Sequence, residues 1–176
     1  MARRAWIQRQ RHLVSLTPLV LSGLLVIGCA RMGAIRSQVL DAQTGHPVPG
    51  AVVLAVWTKT VGFGLTRTEL VGVSEAEVDA EGRFTLERPA GALTADESVT
   101  VYKFGYLAWN NEEIFPSFER RQDTGVPNRI LLELFPSGIS HERHMRFIGR
   151  ATIEGFSIRP GRPKFDSAIE REDRMR

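Results

Sequence analysis

A thiol, two imidazoles and a set of aromatics among charges are the side chains of this 176-residue chain with the types and spacing to do chemistry. The thiol is Cys29, the single cysteine. One cysteine closes no intramolecular disulfide and supplies no Cys-rich zinc knuckle, so a core must hold the fold together. The imidazoles are His141 and His144, spaced i, i+3 and able to share one helical face. Glu142 or Glu154 could add an oxygen, but zinc takes three or four protein ligands and this set is incomplete. The expectation is a surface helix with two solvated histidines, no metal and no cofactor. Asp79, Glu81 and Gly82 lack the further acids of a calcium loop and read as a β-turn. No Gly-x-Ser-x-Gly elbow occurs. No catalytic residue is assigned, and the chain is expected not to be an enzyme. The aromatics are Trp109, Phe115 and Phe118, set beside Glu112, Glu113, Glu119, Arg120 and Arg121 in the stretch 107–128. They are candidate partner-binding residues, because aromatics next to charges suit a partner surface. The same pattern suits a loop whose aromatics fold back over an open end of the core.

The elements that position these residues begin with a leader. Arg3, Arg4, Arg9 and Arg11 form a basic start, and Leu13 to Ile27 is an uncharged run rich in Leu and Val. That layout is a secretory signal, and a run of roughly 15 apolar residues is short of the ~20 that span a bilayer core. Val26-Ile27-Gly28-Cys29 resembles the lipobox of bacterial lipoprotein precursors. The resemblance implies a signal peptide over 1–28, a diacylglycerol on the Cys29 sulfur, and an acyl group such as palmitate on its new amine. Two or three chains suffice for stable anchoring where one is marginal. Ala30, not Asp, follows the cysteine, which by the same resemblance directs the protein to the periplasmic face of the outer membrane if the cell is Gram-negative; otherwise the expectation is a lipid-anchored protein of the cell envelope.

The chain carries 23 basic and 20 acidic residues, net +3. Four of the 23 leave with the leader and no acid does, so the remainder has 19 against 20 and nucleic acid is not an expected partner. A hydrophobic share of 43 % with 24 % charged excludes a disordered polyampholyte and a polytopic membrane protein.

After a short tether, 29–33, the stretch 34–136 reads as short strands and turns. Ile35, Ser37 and Val39 alternate with polar neighbours, as in a half-buried strand. Ala51 to Trp57 is a continuous apolar run, the mark of a central strand covered on both faces. Val71 and Val73, then Ala76 and Val78, slip in phase, which predicts a bulge or corner between the pairs. Asp79-Ala80-Glu81-Gly82 reads as a hairpin turn into Arg83–Glu87. Ser98–Phe104 and Arg129–Phe135 complete the strands, with Ile130, Leu132 and Leu134 on one face. Residues 137–158 are expected to form a short helix with a packing segment, His141, Met145 and Ile148 on one face. Residues 159–176 read as a charged, mobile tail.

Three blocks resemble the carboxypeptidase regulatory-like domain: Val39 to Val53 with its Thr44-Gly45-His46-Pro47 turn, Val78-Asp79-Ala80-Glu81-Gly82-Arg83-Phe84, and Val99 to Tyr106. The resemblance implies an all-β fold, an antiparallel transthyretin-like/Ig-like sandwich of about 6–7 strands, with a short C-terminal helix added here. It implies binding or scaffolding and no catalysis. The combined expectation is a lipid-anchored protein of the cell envelope that meets the membrane through its anchor and an envelope protein through its fold. The alternative is a carbohydrate-binding module that takes a glycan on the exposed aromatics of 107–128.

Overall fold

The computed structural model describes residues 33–152 and 161–175. The leader, Cys29 and most of the tether, and residues 153–158 of the expected packing segment, lie outside the described residues.

Strands β1 (Ile35–Asp41), β4 (Arg83–Leu86) and β9 (Arg129–Leu132) form one sheet in the order β4-β1-β9. A second sheet has the order β3-β2-β5-β6, from β2 (Val52–Val61), β3 (Arg67–Glu77), β5 (Asp96–Tyr102) and β6 (Trp109–Asn110). A small hairpin joins β7 (Glu113–Ile114) to β8 (Glu119–Arg120). Two helices follow, α1 (His141–Thr152) and α2 (Pro163–Asp173). The protein is thus β-rich, with three mostly antiparallel sheets and two helices. No helix among the described residues is long and apolar enough to cross a membrane.

Two cores share β2. Val53, Ala55 and Trp57 face the first sheet and pack with Ile35, Val39, Phe84, Leu86, Ile130 and Leu132. Val52, Leu54 and Val56 face the other way, toward Met145, Phe147 and Ile148 of α1 and Phe165 of α2. The continuous apolar run is therefore the strand covered on both faces that its sequence predicts, one cover being a sheet and the other a pair of helices.

Several expectations need correction. β9 pairs with β1 in parallel, Val39 opposite Ile130. An antiparallel neighbour can follow a two-residue turn, but a parallel one needs a long connection, and here the whole of the second sheet lies between β1 and β9 in sequence. β9 ends at Leu132, and Leu134, expected on its inward face, is exposed. The turn at Asp79–Gly82 links strands of different sheets: β3 pairs with β2, while β4 pairs with β1. The bulge in β3 falls at Val71, where the pairing jumps from Trp57↔Gly72 to Thr58↔Leu70. Val73 and Ala76 are in continuous register, and their apparent slip is the difference between the two cores they enter.

The charged C-terminal stretch is not a tail, since residues 163–173 are α2. Pro163 opens it, where a missing N–H costs nothing. Glu75 of β3 accepts from the backbone N–H groups of Lys164 and Phe165 at 3.1 and 3.0 Å, satisfying donors that a helix start leaves open. Phe165 is fully buried against Tyr102. On α1, Ser140 Oγ accepts from the Arg143 N–H at 3.3 Å, the bond of an N-cap.

Candidate functional site

The side chains with most chemical capacity meet where α1, α2 and β5 join. Glu172 ends a helical face that begins with Phe165, Ala168 and Ile169, so the geometry that buries Phe165 also buries its carboxylate, 1 % exposed. Its Oε1 accepts from Nδ1 of His144 at 2.7 Å and from Nδ1 of His141 at 2.8 Å. Its Oε2 accepts from the Tyr102 hydroxyl at 2.8 Å. The Ala108 backbone N–H donates to Nε2 of His144 at 2.7 Å, so that nitrogen presents a lone pair and the ring proton sits on Nδ1, pointing at Glu172.

Burial pushes the Glu172 carboxyl up, but the hydrogen bonds from His144, His141 and Tyr102 outweigh it and leave the group below its ordinary range. Burial and the bond to Glu172 push the Tyr102 hydroxyl well above its ordinary range. Phe135 stacks flat on His141 at 4.6 Å, and Phe115 and Phe135 stand edge-on to His144 at 5.0 and 5.1 Å. His144 is 0 % exposed and has both ring nitrogens engaged. Chemically the cluster is a sealed clamp. It fixes two helices to a strand, and His141 alone reaches solvent.

The sequence-based reading of His141 and His144 as two solvated histidines is corrected by this burial. The two rings do share a helical face, yet both Nδ1 atoms turn to one carboxylate oxygen. Asp79 accepts from the backbone N–H groups of Glu81 and Arg83 at 3.1 and 2.7 Å, which is turn chemistry, as its spacing predicts.

The three candidate partner-binding aromatics are divided. Phe115 is buried in the helix-side core, against His144 and Phe147. Phe118 is half-buried, edge-on to Phe147, with the Arg150 guanidinium 5.9 Å from its ring. Trp109, half-buried on β6, carries Arg121 at 5.3 Å over its ring. Phe115 is thus a packing residue, not a contact residue, and the flat open aromatic face that a glycan needs is absent from this trio. Physically, the segment 109–120 pairs back onto β5 and forms the β7–β8 hairpin, which turns its rings inward.

A second polar knot ties together the blocks that carry the family resemblance. Asp41 Oδ1 accepts from the N–H groups of Gln43 and Thr44 at 2.9 and 2.7 Å, and its Oδ2 accepts from the Tyr106 hydroxyl at 3.0 Å. These bonds hold the Asp41 carboxyl below its ordinary range. Gly82, at φ 79°, passes so close that a Cβ there would lie 2.7 Å from the Val39 carbonyl oxygen, while the Val39 N–H donates to the Gly82 carbonyl at 2.7 Å. Residues from all three blocks therefore meet at one end of the fold.

No protein family and no curated protein matches this chain. Among solved structures it is similar to a 9R-lipoxygenase from Cyanothece PCC8801, at 14 % identity and a TM-score of 0.30. The likeness covers 58 % of this chain and 16 % of that one, and it is too loose to carry an argument.

Proposed function

We propose that the chain is a non-catalytic lipoprotein of the cell envelope, anchored through Cys29, whose carboxypeptidase regulatory-like, transthyretin-like sandwich binds or scaffolds another envelope protein. The observation that carries the reading of the module is the meeting of the three blocks through Asp41–Tyr106 and Val39–Gly82. A non-catalytic role is supported by the clamp, in which the Glu172 carboxylate, the Tyr102 phenol and both ring nitrogens of His144 are engaged inside the fold. The resemblance to a lipobox supports the anchor, and Ala30 after it supports the periplasmic face of the outer membrane as the destination if the cell is Gram-negative.

The test is Cys29→Ser in the cell of origin, with radiolabelled palmitate. The wild type incorporates label and runs at mature size, and the variant takes up none and accumulates as precursor. A variant processed to mature size and released without lipid overturns the reading.

A further inference from the structure

β2 and β3 outrun the sheet they belong to. β5 pairs with β2 only as far as Thr58, opposite Asp96. Beyond that point Lys59↔Glu69, Thr60↔Thr68 and Val61↔Arg67 make a ribbon paired only with itself, which carries residues 62–66 about 10 Å past the sheet. At the tip Gly62 and Gly64 have φ of 115° and 82°, and a Cβ on Gly62 would lie 2.2 Å from the Leu65 carbonyl oxygen. Glycine is required there. The turn holds Phe63 at 105 % and Leu65 at 94 % exposure; Leu93, in the 3-10 turn Ala92–Thr94, is 79 % exposed. Among the described residues these are the three most exposed large apolar side chains. Singly exposed leucines are ordinary, but an aromatic and a leucine raised on a glycine-built tip are not.

All three lie at the end of the molecule where the described chain begins. A Cβ on Gly33 would touch Arg88 at 3.4 Å; the Arg88 guanidinium stands 5.9 Å from the Trp57 ring and pairs with Glu97 at the start of β5. Pro89 packs against Gly72, the partner of Trp57. The first residues of β1, the 3-10 turn and the root of the hairpin are therefore neighbours.

We propose that this end faces the lipid bilayer and that Phe63 and Leu65 insert at the boundary between headgroups and acyl chains, giving the protein a second contact that fixes its orientation. The proposal rests on the Cys29 anchor. A chain lipidated there reaches Gly33 in four residues, at most about 14 Å fully extended, so the end bearing Gly33 is the end held at the membrane. A lipid surface also fits the charge at this end. Arg67 is paired with Glu69 and Arg88 with Glu97, and Lys59 on the ribbon is offset by Asp96 at its root, so contact is by apolar burial, not by attraction to anionic lipid.

The test uses the full-length protein in phosphatidylcholine vesicles containing a spin-labelled lipid that quenches fluorescence within the acyl region. A nitrobenzoxadiazole probe is placed at Phe63→Cys, and at Glu81→Cys in the turn at the opposite end of β3. The expected result is blue-shifted emission, mostly quenched, from position 63 and unquenched emission from position 81, both unchanged by added salt. Protein that floats with the vesicles while position 63 stays unquenched overturns the proposal and leaves the anchor standing. A position 63 that becomes shielded only when envelope proteins are added also overturns it, in favour of a protein pocket. Protein that does not float overturns both anchor and proposal.

Discussion

The Nδ1 atom of His144 lies 2.7 Å from Oε1 of Glu172, and this contact joins α1 to α2 across 28 residues of sequence. Tyr102 brings β5 to the same carboxylate from the other side, at 2.8 Å. Glu172→Ala leaves a buried imidazole N–H and a buried phenol without an acceptor. It should lower stability by about 3 kcal/mol in a urea unfolding titration, in line with the loss of one partner from a buried, hydrogen-bonded charged group. An unchanged midpoint would show that the clamp holds nothing.

The same carboxylate sets an acid limit. Because its folded pKa lies below the ordinary value of 4.5, the unfolded chain binds the extra proton as pH falls. Its contribution is complete above about pH 4.5 and is lost as pH drops through the lower, folded value. The stability gap between wild type and Glu172→Gln is expected to be widest near neutrality and to close in acid. A gap that widens below pH 4.5 would contradict this sign.

Phe115 and Trp109 are alike on a sequence basis and different in the fold. Phe115→Ala empties a buried ring site between His144 and Phe147 and should cost about 3 kcal/mol. Trp109→Ala removes a half-buried ring and should cost less. Thermal melts of the two variants give the order, and the reverse order would return Phe115 to the surface.

Glu75→Gln weakens the anionic cap on α2 while leaving an oxygen to accept. Hydrogen exchange at Lys164 and Phe165 should quicken, with a loss of about 0.5–1 kcal/mol at the helix start and little change elsewhere. Protection that stays equal to wild type would mean that the α2 start is held by other contacts.

What the sequence made legible was local and periodic. The run Ala51–Trp57 identifies β2 and its two covered faces, and His141, Met145 and Ile148 mark α1. The spacing Phe165, Ala168, Ile169 also carried a helix, but its fourth position is Glu172, an acid where an apolar residue would complete the stripe. A charge that belongs to the core only because three partners wait for it looks solvated until those partners are seen. For the same reason His144 reads as solvated, since its burial depends on Ala108 and Glu172, 36 and 28 residues away. The parallel pairing of β9 is not legible in the sequence, because its partner β1 precedes, and β9 follows, every strand of the second sheet.

The anchor at Cys29 is the claim on which location and the proposed bilayer contact both depend. The intact mass and N-terminal residue of the protein purified from its own membranes test it most directly. The expected product is a chain that begins at Cys29 and is heavier than the 29–176 polypeptide by a diacylglyceryl group and an amide-linked acyl chain. A chain that keeps residues before Cys29, or carries Cys29 as a free thiol, would contradict it.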